Sequence, residues 1–437
     1  MTSSSDVIFA LASGLERAAI AVMRASGPDS GAVLSRLCGK LPAPRRASLR
    51  PLWRDASGHR DRLDDALVLW FPGPQSYTGE DSFELHLHAG PAVIAAVSEA
   101  LTEAGARPAE AGEFTRRAFA NGRLDLTEAE GIADLIAAET QAQRRQALAQ
   151  ADGALSRICN DWTERLRILV ARQEALIDFP DEDLPPEVGA ATVSGITTLR
   201  DELSAHLADS ARGERIRTGL TIAIAGRPNA GKSSLLNLFA GRDAAIVSPL
   251  AGTTRDAIET VIVIGGLRVT LVDTAGLREA ADPIEAEGVR RAMFHVKHAD
   301  LCVQMFTANE PPEEILPDAI LVCNKTDLYP PPDHINDRPV LGLSLLTEQG
   351  LDGLKKELEA RVVALTSGRA GAPLTRSRHR AAVSEALQCL DRALIQEWPE
   401  IRGEDLRVAL RALGRLTGAV GVEDILDTVF GQFCIGK

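Results

Sequence analysis

A phosphate-binding loop constrains this chain more than any other feature of its sequence. An apolar run rich in β-branched residues, Leu220 to Ala225, precedes residues 226–233, which read Gly-Arg-Pro-Asn-Ala-Gly-Lys-Ser and fit the pattern G-x-x-x-x-G-K-[ST]. A helical stretch follows directly. A strand, a glycine-rich loop and a helix in this order turn backbone N–H groups toward a phosphate. The sequence therefore predicts a nucleotide site in a doubly wound α/β domain.

Two further motifs follow in the order expected of a GTP-binding domain. Residues 273–276 read Asp-Thr-Ala-Gly after a predicted strand, which places a carboxylate near magnesium and a glycine N–H near the γ-phosphate. Residues 324–327 read Asn-Lys-Thr-Asp after another predicted strand. The carboxylate of Asp327 can accept hydrogen bonds from both guanine N1–H and the exocyclic amine. Adenine offers no such pair of donors, so the motif predicts GTP rather than ATP.

The hydrolytic device is predicted to differ from that of Ras. Leu277 stands where Ras-type enzymes carry the glutamine that orients the attacking water. The polar stretch 278–285 and the segment 248–256, which contains Thr254, are candidates for movement over the γ-phosphate. Asn229 has two interpretations: its amide can hold a monovalent cation together with loop carbonyls, or it can stabilise the loop through an Asx turn.

The chain is long enough for several domains, because 437 residues exceed what one hydrophobic core usually serves. Alternating apolar runs at 66–70 and 83–87 predict an N-terminal α/β or α+β domain. Long helices are predicted from residue 125 to about 178, beginning at a capping box formed by Thr127 and Glu130. The α/β unit with the phosphate loop is predicted to be inserted between these helices and a later helical segment.

Four segments describe this predicted organisation. They are an N-terminal domain at 1–120, a first helical part at 121–215, an inserted P-loop α/β domain at 216–366 and a second helical part with the C-terminal tail at 367–437. The fold class is thus multidomain, with two α/β-type domains and one discontinuous α-helical domain.

Composition excludes several classes of protein. The formal charge is -13, with 48 Lys and Arg against 61 Asp and Glu, which excludes a basic nucleic-acid binder whose whole surface is positive. The six cysteines include no C-x-x-C pair, which argues against a zinc site or a disulfide framework. No apolar run approaches the length of about 18 residues that crosses a bilayer, and the first residues do not fit a signal peptide, so we expect a cytoplasmic protein that binds no membrane.

Other motifs extend over nearly the whole chain. They are Ser-Tyr-Thr-Gly-Glu-Asp at 76–81, Gly-Glu-Phe-Thr-Arg-Arg-Ala-Phe-Ala-Asn-Gly-Arg-Leu-Asp-Leu at 112–126, Ile-Asp-Phe-Pro at 177–180 and the ending Phe-Cys-Ile-Gly-Lys at 433–437. With the GTP-binding motifs, they resemble the MnmE (TrmE) family of tRNA modification GTPases. The GTP-binding motifs alone are also similar to those of ribosome-assembly GTPases of the Era and Der type.

The MnmE resemblance implies an N-terminal tetrahydrofolate-binding domain that forms a homodimer and a potassium-stimulated G domain whose two copies meet across their switch loops. It implies a partner, the flavoprotein MnmG, which holds the FAD. Together the two proteins of the family add an aminomethyl or carboxymethylaminomethyl group to carbon 5 of the wobble uridine in certain tRNAs. The one-carbon unit comes from a tetrahydrofolate derivative in the 5-formyl or 5,10-methylene form.

The motifs and the resemblance also indicate site residues. Contacts to GTP or GDP are expected from Asn229, Ala230, Gly231, Lys232, Ser233, Ser234, Ser248, Pro249, Leu250, Ala251, Gly252, Thr253, Thr254, Asp273, Thr274, Ala275, Gly276, Asn324, Lys325, Thr326, Asp327 and Ser344. Magnesium is expected at Ser233 and Thr254, and potassium at Asn229, Ser248, Leu250 and Thr253. Glu285 matches the catalytic glutamate of the family, and Arg278 lies in the same segment.

The expected folate contacts are Arg24, Glu84, Arg123 and Lys437. Arginine or lysine suits the glutamyl carboxylate of folate, and Glu84 suits the donor edge of its pterin. Cys434 is a candidate redox or nucleophilic thiol, with a buried terminal anchor as the alternative. Arg407, Arg411 and Arg415 form a basic stripe at helical spacing, which either faces water or contacts tRNA or MnmG.

Two other functions remain open from the sequence. A ribosome-assembly GTPase shares the GTP-binding motifs, but it predicts a basic RNA-binding module and leaves residues 433–437 without explanation. A scaffold that binds GTP to recruit partners would perform no folate chemistry.

Overall fold

A computed structural model describes residues 6–14, 18–56, 59–178, 186–243, 259–273, 298–368, 371–421, 423–431, 433 and 436. The chain divides into two units. The first unit contains residues 1–133, 159–164 and 410–437, and the second contains residues 134–158 and 165–409.

A six-stranded sheet organises the first unit. Its strands are β1 (Val7–Leu11), β2 (Ile20–Ser26), β3 (Ser48–Ala56), β4 (His59–Phe71), β5 (Ser82–His88) and β6 (Ala106–Pro108). They lie in the order β3-β4-β5-β2-β1-β6, and every neighbouring pair is antiparallel except β1 with β6. The predicted runs at 66–70 and 83–87 are confirmed as parts of β4 and β5.

One face of this sheet carries the core of the N-terminal region. Buried side chains of helices α1 (Ser30–Cys38) and α2 (Pro91–Glu103) join a cluster with the buried residues of the strands. The alternation along β5 explains the two faces, because Phe83, Leu85 and Leu87 are buried while Glu84 and His86 point the other way. Part of the second face is covered where Phe114 of helix α3 (Glu113–Ala120) clusters with Ile8 and Ala10.

The last described helix packs within the same unit. Helix α4 (Leu126–Ile136) contributes Leu126 and Ala129 to a cluster with Phe430, which lies on the final helix (Glu423–Phe430). Phe430 also lies 6.1 Å from Phe119, measured between ring centroids. A Cβ atom at Gly112 would lie 2.4 Å from the carbonyl oxygen of Phe430, so this approach requires glycine.

The cap of α4 differs from the predicted one. Asp125 Oδ1 accepts a hydrogen bond from the Glu128 N–H at 2.9 Å, and Glu128 Oε2 accepts one from the Asp125 N–H at 2.8 Å. These two residues therefore form the capping box, while Thr127 and Glu130 are buried inside the helix. The predicted box was wrong because both pairs have the same three-residue spacing, and spacing does not decide which pair precedes the first turn.

A cluster of ion pairs, here called the Arg117 cluster, ties the chain start to α3. Arg117 is almost fully buried and pairs with Asp6 at 2.9 Å, Glu113 at 3.1 Å and Glu80 at 3.3 Å. Arg107 pairs with Glu113 at 2.6 Å. Burial is the largest single influence on Glu113 and opposes its ionisation, but the hydrogen bonds from Arg107, the Glu110 N–H and Arg117 together outweigh it and hold the Glu113 pKa below its ordinary value.

This pKa shift has a definite sign for stability. A carboxylate whose folded-state pKa is depressed stabilises the fold fully above its unfolded pKa, about 4.3 for glutamate. The stabilisation from Glu113 is lost as the pH falls from that value through the folded-state pKa.

The second unit contains a seven-stranded sheet. Its strands are β7 (Leu220–Gly226), β8 (Glu259–Ile264), β9 (Leu267–Asp273), β10 (Leu301–Thr307), β11 (Ile320–Asn324), β12 (His334–Ile335) and β13 (Arg338–Gly342). They lie in the order β12-β13-β11-β10-β7-β9-β8, and the five inner strands are parallel. The two outermost strands, β8 and β12, pair antiparallel with their neighbours. The doubly wound domain is confirmed, although the sequence did not predict β12 and β13.

Further described helices lie before, within and after this sheet in the chain order. They are α5 (Gln141–Ala151), α6 (Ala154–Asp178), α7 (Pro186–Ala208), α8 (Ser210–Thr218), α9 (Lys232–Asp243), α10 (Leu351–Thr366), α11 (Ser377–Ile395) and α12 (Pro399–Thr417), and the final helix is α13. Helix α7, which precedes the sheet in the chain, packs on α11, which follows it. None of the described helices is both long enough and apolar enough to cross a lipid bilayer.

We predict that Arg117→Ala loosens the first unit. The substitution removes the shared partner of three acidic groups, and breaking a buried ion pair costs about 3 kcal/mol. Amide hydrogen exchange in β1 and α3 should accelerate about 100-fold, because each 1.4 kcal/mol changes an equilibrium tenfold. Arg54→Ala is the matched control, since Arg54 pairs with Glu99 and Glu103 at the surface. Equal exchange in the two variants would contradict the prediction.

Candidate nucleotide site

The phosphate loop adopts a backbone that glycine alone permits at two positions. Gly226 has φ +146 and Gly231 has φ +103. A Cβ at Gly226 would lie 2.1 Å from the carbonyl oxygen of Met305, on the neighbouring strand β10. A Cβ at Gly231 would lie 2.2 Å from Nδ2 of Asn324. The loop therefore lies close against the carboxyl ends of the inner strands, where parallel α/β sheets bind ligands.

Lys232, the first residue of α9, folds back over the loop. Its Nζ donates hydrogen bonds of 2.8 Å to the carbonyl oxygens of Gly226 and Arg227. The residue is only 4% exposed, so its ammonium group is held at the loop instead of extending into water. A cation in this position provides a fixed positive charge for an anionic oxygen.

Ser233 and Asp273 place two oxygens together at the end of parallel strands. Ser233 Oγ donates a 2.7 Å hydrogen bond to Oδ2 of the fully buried Asp273. Asp273 is the register partner of Ile224, which brings the end of β9 beside the phosphate loop. A hydroxyl and a carboxylate are hard oxygen ligands of the kind that magnesium prefers.

These two oxygens are too few to hold magnesium without other ligands. No group of three or more His, Cys, Asp or Glu suited to a metal occurs among the described residues. Magnesium usually keeps several waters and binds one or two protein oxygens together with substrate phosphates. The donor set therefore fits magnesium that arrives with a nucleotide.

Asn324 connects the third motif to the phosphate loop. Its Nδ2 donates a 2.8 Å hydrogen bond to the carbonyl oxygen of Ala230, and its Oδ1 accepts one of 3.3 Å from the Leu345 N–H. The side chain thus bridges two loops that are far apart in the sequence. The sequence motif predicted a nucleotide contact for Asn324, and the structure adds this bridging contact.

Asp327 is oriented by Ser344. Ser344 Oγ donates a 2.6 Å hydrogen bond to Oδ1 of Asp327, and the Ser344 N–H donates to the carbonyl oxygen of Gln349. Ser344 is fully buried, so both of its donors already have acceptors within the protein. This arrangement leaves Oδ2 of the exposed Asp327 as the oxygen for a ligand.

Asn229 lies at the exposed tip of the phosphate loop. Its φ of +62 is in the left-handed region, which asparagine tolerates better than most residues. Its side chain forms no hydrogen bond with any other residue that the structure describes. The Asx-turn interpretation is therefore not supported, and the amide is available to a ligand.

The structure brings together the predicted residues of the phosphate loop, Asp273 and the 324–327 motif. Ser234, Lys325 and Thr326 lie in these same segments. The other predicted positions lie outside the described residues: Ser248, Pro249, Leu250, Ala251, Gly252, Thr253, Thr254, Thr274, Ala275, Gly276, Arg278, Glu285, Cys434 and Lys437.

A second cluster of predicted residues lies in the first unit. Arg24 on β2 and Glu84 on β5 are register partners, and Arg24 donates hydrogen bonds of 2.7 and 3.0 Å to Oε1 of Glu84. The guanidinium carbon of Arg24 lies 5.7 Å from the ring centroid of Tyr77. Both charged side chains are about one-fifth exposed, so a ligand can reach them.

The loop that contains Tyr77 also reaches Arg123. A Cβ at Gly79 would lie 3.2 Å from Cγ of Arg123, and Asn121 Nδ2 donates a 2.7 Å hydrogen bond to the Thr78 carbonyl oxygen. The exposed Arg123 is thereby held beside the same loop that supports Arg24.

Sequence reasoning missed two neighbours of this second cluster, Tyr77 and His86. His86 Nε2 lies 3.6 Å from Oε2 of Glu84. The two-residue alternation along β5 would have placed His86 beside Glu84. No local pattern indicates that Tyr77 contacts Arg24, because the two lie 53 positions apart in the chain.

The predicted basic stripe is not a row of uncompensated charges. Arg407 pairs with Glu174 and, at 3.0 Å, with Glu404. Arg411 and Arg415 also interact with other groups. The stripe therefore gives little support to an RNA contact.

Comparisons with known proteins agree along the whole chain. The family model "GTP-binding protein TrmE N-terminus" matches residues 7–123, and the model "MnmE helical domain" matches residues 126–434. The chain is 65% identical over 438 residues to the tRNA modification GTPase MnmE of Gluconacetobacter diazotrophicus, and the match covers 100% of both chains.

Two other relatives with the same name are similar over their full length. The protein of Granulibacter bethesdensis is 54% identical over 445 residues, covering 99% of this chain and 100% of the relative. The protein of Rhodospirillum rubrum is 51% identical over 452 residues, covering 99% of each chain.

We predict that Asn324→Ala loosens the phosphate loop and weakens nucleotide binding. Two hydrogen bonds of a buried side chain are lost, at a cost of about 1–3 kcal/mol. Nucleotide affinity, measured by calorimetry, should fall about tenfold or more, and amide exchange in residues 226–233 should accelerate. Leu328→Ala is the control, because Leu328 is exposed in the same loop. Unchanged exchange in the Asn324 variant would show that the bridge does not hold the loop.

Proposed function

The chain belongs to the MnmE family of tRNA modification GTPases, and on this premise we propose that it is a potassium-stimulated GTPase that acts with the flavoprotein MnmG. It hydrolyses GTP to GDP and phosphate in the course of tRNA modification. The pair adds an aminomethyl or carboxymethylaminomethyl group to carbon 5 of the wobble uridine. The one-carbon unit is carried by tetrahydrofolate, and FAD belongs to the partner.

One observation carries the GTPase part of this proposal. Three motifs from distant parts of the chain meet at the carboxyl ends of the inner strands, and Asn324 bonds directly to the phosphate loop. Lys232 faces the β- and γ-phosphate oxygens, and Asp327 accepts the two guanine donors through its available oxygen. Ser344 is then a positioning residue for Asp327, in place of the direct base contact expected from the sequence.

Magnesium is held by Ser233 and Thr254, with Asp273 acting through water. When bound, the ion neutralises charge on the β- and γ-phosphates. The 2.7 Å hydrogen bond between Ser233 and Asp273 supports this assignment, because it brings the hydroxyl and the carboxylate together. To bind the ion, the Ser233 hydroxyl would turn from the carboxylate toward the metal, and nucleotide phosphates and water would supply further ligands.

Potassium is held by Asn229 with Ser248, Leu250 and Thr253. The available amide of Asn229 supports this assignment, because its oxygen is not used within the described part of the protein. A cation here supplies positive charge where other GTPases use an arginine finger. Leu277 removes the usual water-orienting glutamine, so we assign that role to Glu285, with Arg278 in the same segment.

Folate binding is proposed at Arg24, Glu84, Arg123 and Lys437. Arg24 occupies only Oε1 of Glu84, which leaves Oε2 to accept N–H groups of a pterin. Arg123 is exposed beside Gly79 of the loop that contains Tyr77, and its guanidinium suits a glutamyl carboxylate. Cys434, which lies outside the described residues, is kept as a candidate redox or nucleophilic thiol, with a buried anchor as the alternative.

A homodimer through the N-terminal domain is also proposed. The sheet face opposite α1 and α2 presents Leu49, which is 71% exposed, directly across from Leu67 on the paired strand. Exposed apolar side chains on an open sheet face are typical of an association surface. Nucleotide-dependent contact between the two G domains would then switch the assembly within the cytoplasm.

The match of residues 7–123 to the TrmE N-terminus favours tRNA modification over ribosome assembly. Neither a ribosome-assembly GTPase nor a GTP-dependent scaffold accounts for that domain. The proposal keeps the domain boundaries expected from the sequence, which lie after residues 120, 215 and 366.

We predict that GTP hydrolysis is faster in potassium than in sodium at matched ionic strength. Asn229→Ala should abolish the difference, because it removes the proposed amide ligand. Arg227→Ala is the control in the same loop, since the Arg227 side chain is paired with Glu313 and is not one of the proposed potassium ligands. Steady-state phosphate release measures both effects. Equal wild-type rates in the two salts would contradict a potassium site.

We predict that deletion of the gene removes the carbon-5 modification from wobble uridines. Nucleoside mass spectrometry of bulk tRNA measures the loss, and complementation with the wild-type gene should restore it. Complementation with Asp273→Asn should fail, because the magnesium site is impaired. Unchanged nucleosides together with unassembled ribosomal subunits would instead establish the ribosome-assembly alternative.

A further inference from the structure

The turn between α11 and α12 presents three apolar side chains to solvent. Ile395, Trp398 and Ile401 are 78%, 67% and 48% exposed. Tryptophan is highly buried on average, so an exposed one flanked by two isoleucines is unusual for a surface. Tryptophan is also among the residues that contribute most to protein–protein binding. Residues 395–401 are here called the Trp398 turn.

Hydrogen bonds fix the shape of the Trp398 turn. Arg402 Nε donates to the carbonyl oxygen of Ala393 at 3.0 Å, and its Nη2 donates to that of Gln396 at 2.5 Å. The buried Gln173 on α6 donates a 3.0 Å hydrogen bond to the Pro399 carbonyl oxygen. A turn held in this way loses little conformational entropy when it binds, which favours a recognition role.

The charge around the Trp398 turn is acidic. Glu397 and Glu400 are exposed and form no ion pair or hydrogen bond with any other described residue. The nearby arginines are already engaged: Arg392 pairs with Asp405, and Arg402 bonds to backbone carbonyls. Arg402 keeps its positive charge, because carbonyl oxygens are neutral, so the carboxylates of Glu397 and Glu400 leave the described part of the turn with an excess of one negative charge.

This charge decides between three possible occupants. RNA is disfavoured because its phosphates would meet carboxylates, and proteins bind RNA backbones with Lys and Arg. A second copy is disfavoured because a twofold contact places the same patch against itself, so the carboxylates would face each other. A different protein with an apolar pocket bordered by Lys or Arg is complementary in both respects.

We propose that the Trp398 turn is a docking site for a partner protein that offers an apolar pocket bordered by basic side chains. The identification of this partner as MnmG rests on the proposed function. Trp398 fills the pocket, and Glu397 and Glu400 pair with the basic side chains at its rim.

The test uses the full-length protein and purified MnmG of the same organism. Affinity is measured by calorimetry for the wild type, for Trp398→Ala and for the double variant Glu397→Lys/Glu400→Lys. Trp398→Ala should weaken binding at least about 30-fold, as expected of a central tryptophan. The double variant should also bind more weakly, and raising the salt concentration should reduce the difference between it and the wild type.

Ile168→Ala is the matched control, because Ile168 is 43% exposed on α6 and lies outside the turn. Its affinity for MnmG should equal that of the wild type. All variants should keep the wild-type circular dichroism and basal GTP hydrolysis, since the turn contains none of the proposed nucleotide contacts.

Each other outcome overturns the inference in a recognisable way. Wild-type affinity of Trp398→Ala for MnmG shows that the turn is not the docking site and leaves the proposed function intact. If the wild type does not bind MnmG, then MnmG is neither the partner in the proposed function nor the protein that docks on the Trp398 turn. A selective loss of tRNA affinity identifies an RNA surface, and a change of oligomeric state in sedimentation identifies self-association.

Discussion

The hydrogen bond from Asn324 to the carbonyl oxygen of Ala230 is the contact on which the nucleotide site depends. It joins residues 94 positions apart in the chain and is made inside a nearly water-free environment. Gly231 must lack a Cβ for this approach to occur, because the atom would lie 2.2 Å from Nδ2. The parallel register of β7, β10 and β11 brings the two loops to one edge of the sheet. The phosphate loop and the 324–327 motif are therefore joined by a direct contact.

Ion pairs have two different roles in the first unit. The Arg117 cluster is nearly closed to solvent and links the chain start, the loop at Glu80 and α3, so its charges act on stability. The pair of Arg24 and Glu84 lies on the open sheet face and is partly exposed, so one carboxylate oxygen remains for a ligand. The two sets of ion pairs differ in burial. Water and ligands can reach the Arg24–Glu84 pair, whereas the Arg117 cluster is nearly closed to them and acts on stability.

Much of the fold follows from local sequence patterns. The apolar runs at 66–70, 83–87, 220–225 and 320–323 are all strands, and α6 ends at Asp178, where the predicted long helices stop. The strands β12 and β13 were missed because β12 has only two residues and β13 begins with Arg-Pro, so neither shows a two-residue apolar period. The capping box was predicted at Thr127 but is formed by Asp125, because the spacing of polar residues does not identify the first turn of the helix.

The identity of the candidate nucleotide site was determined by the sequence itself, because backbone geometry and ligand chemistry permit few residue types at Gly226, Gly231, Lys232 and Asp273. Tertiary structure alone decided how these residues share contacts: the burial of Ser344 against Asp327, the available amide of Asn229 and the pairing of Arg407 with acidic neighbours. It also decided that Trp398 is exposed on a fixed turn. The reason is physical, since motifs record local geometry, whereas burial and ion pairing depend on which distant segments the fold brings together.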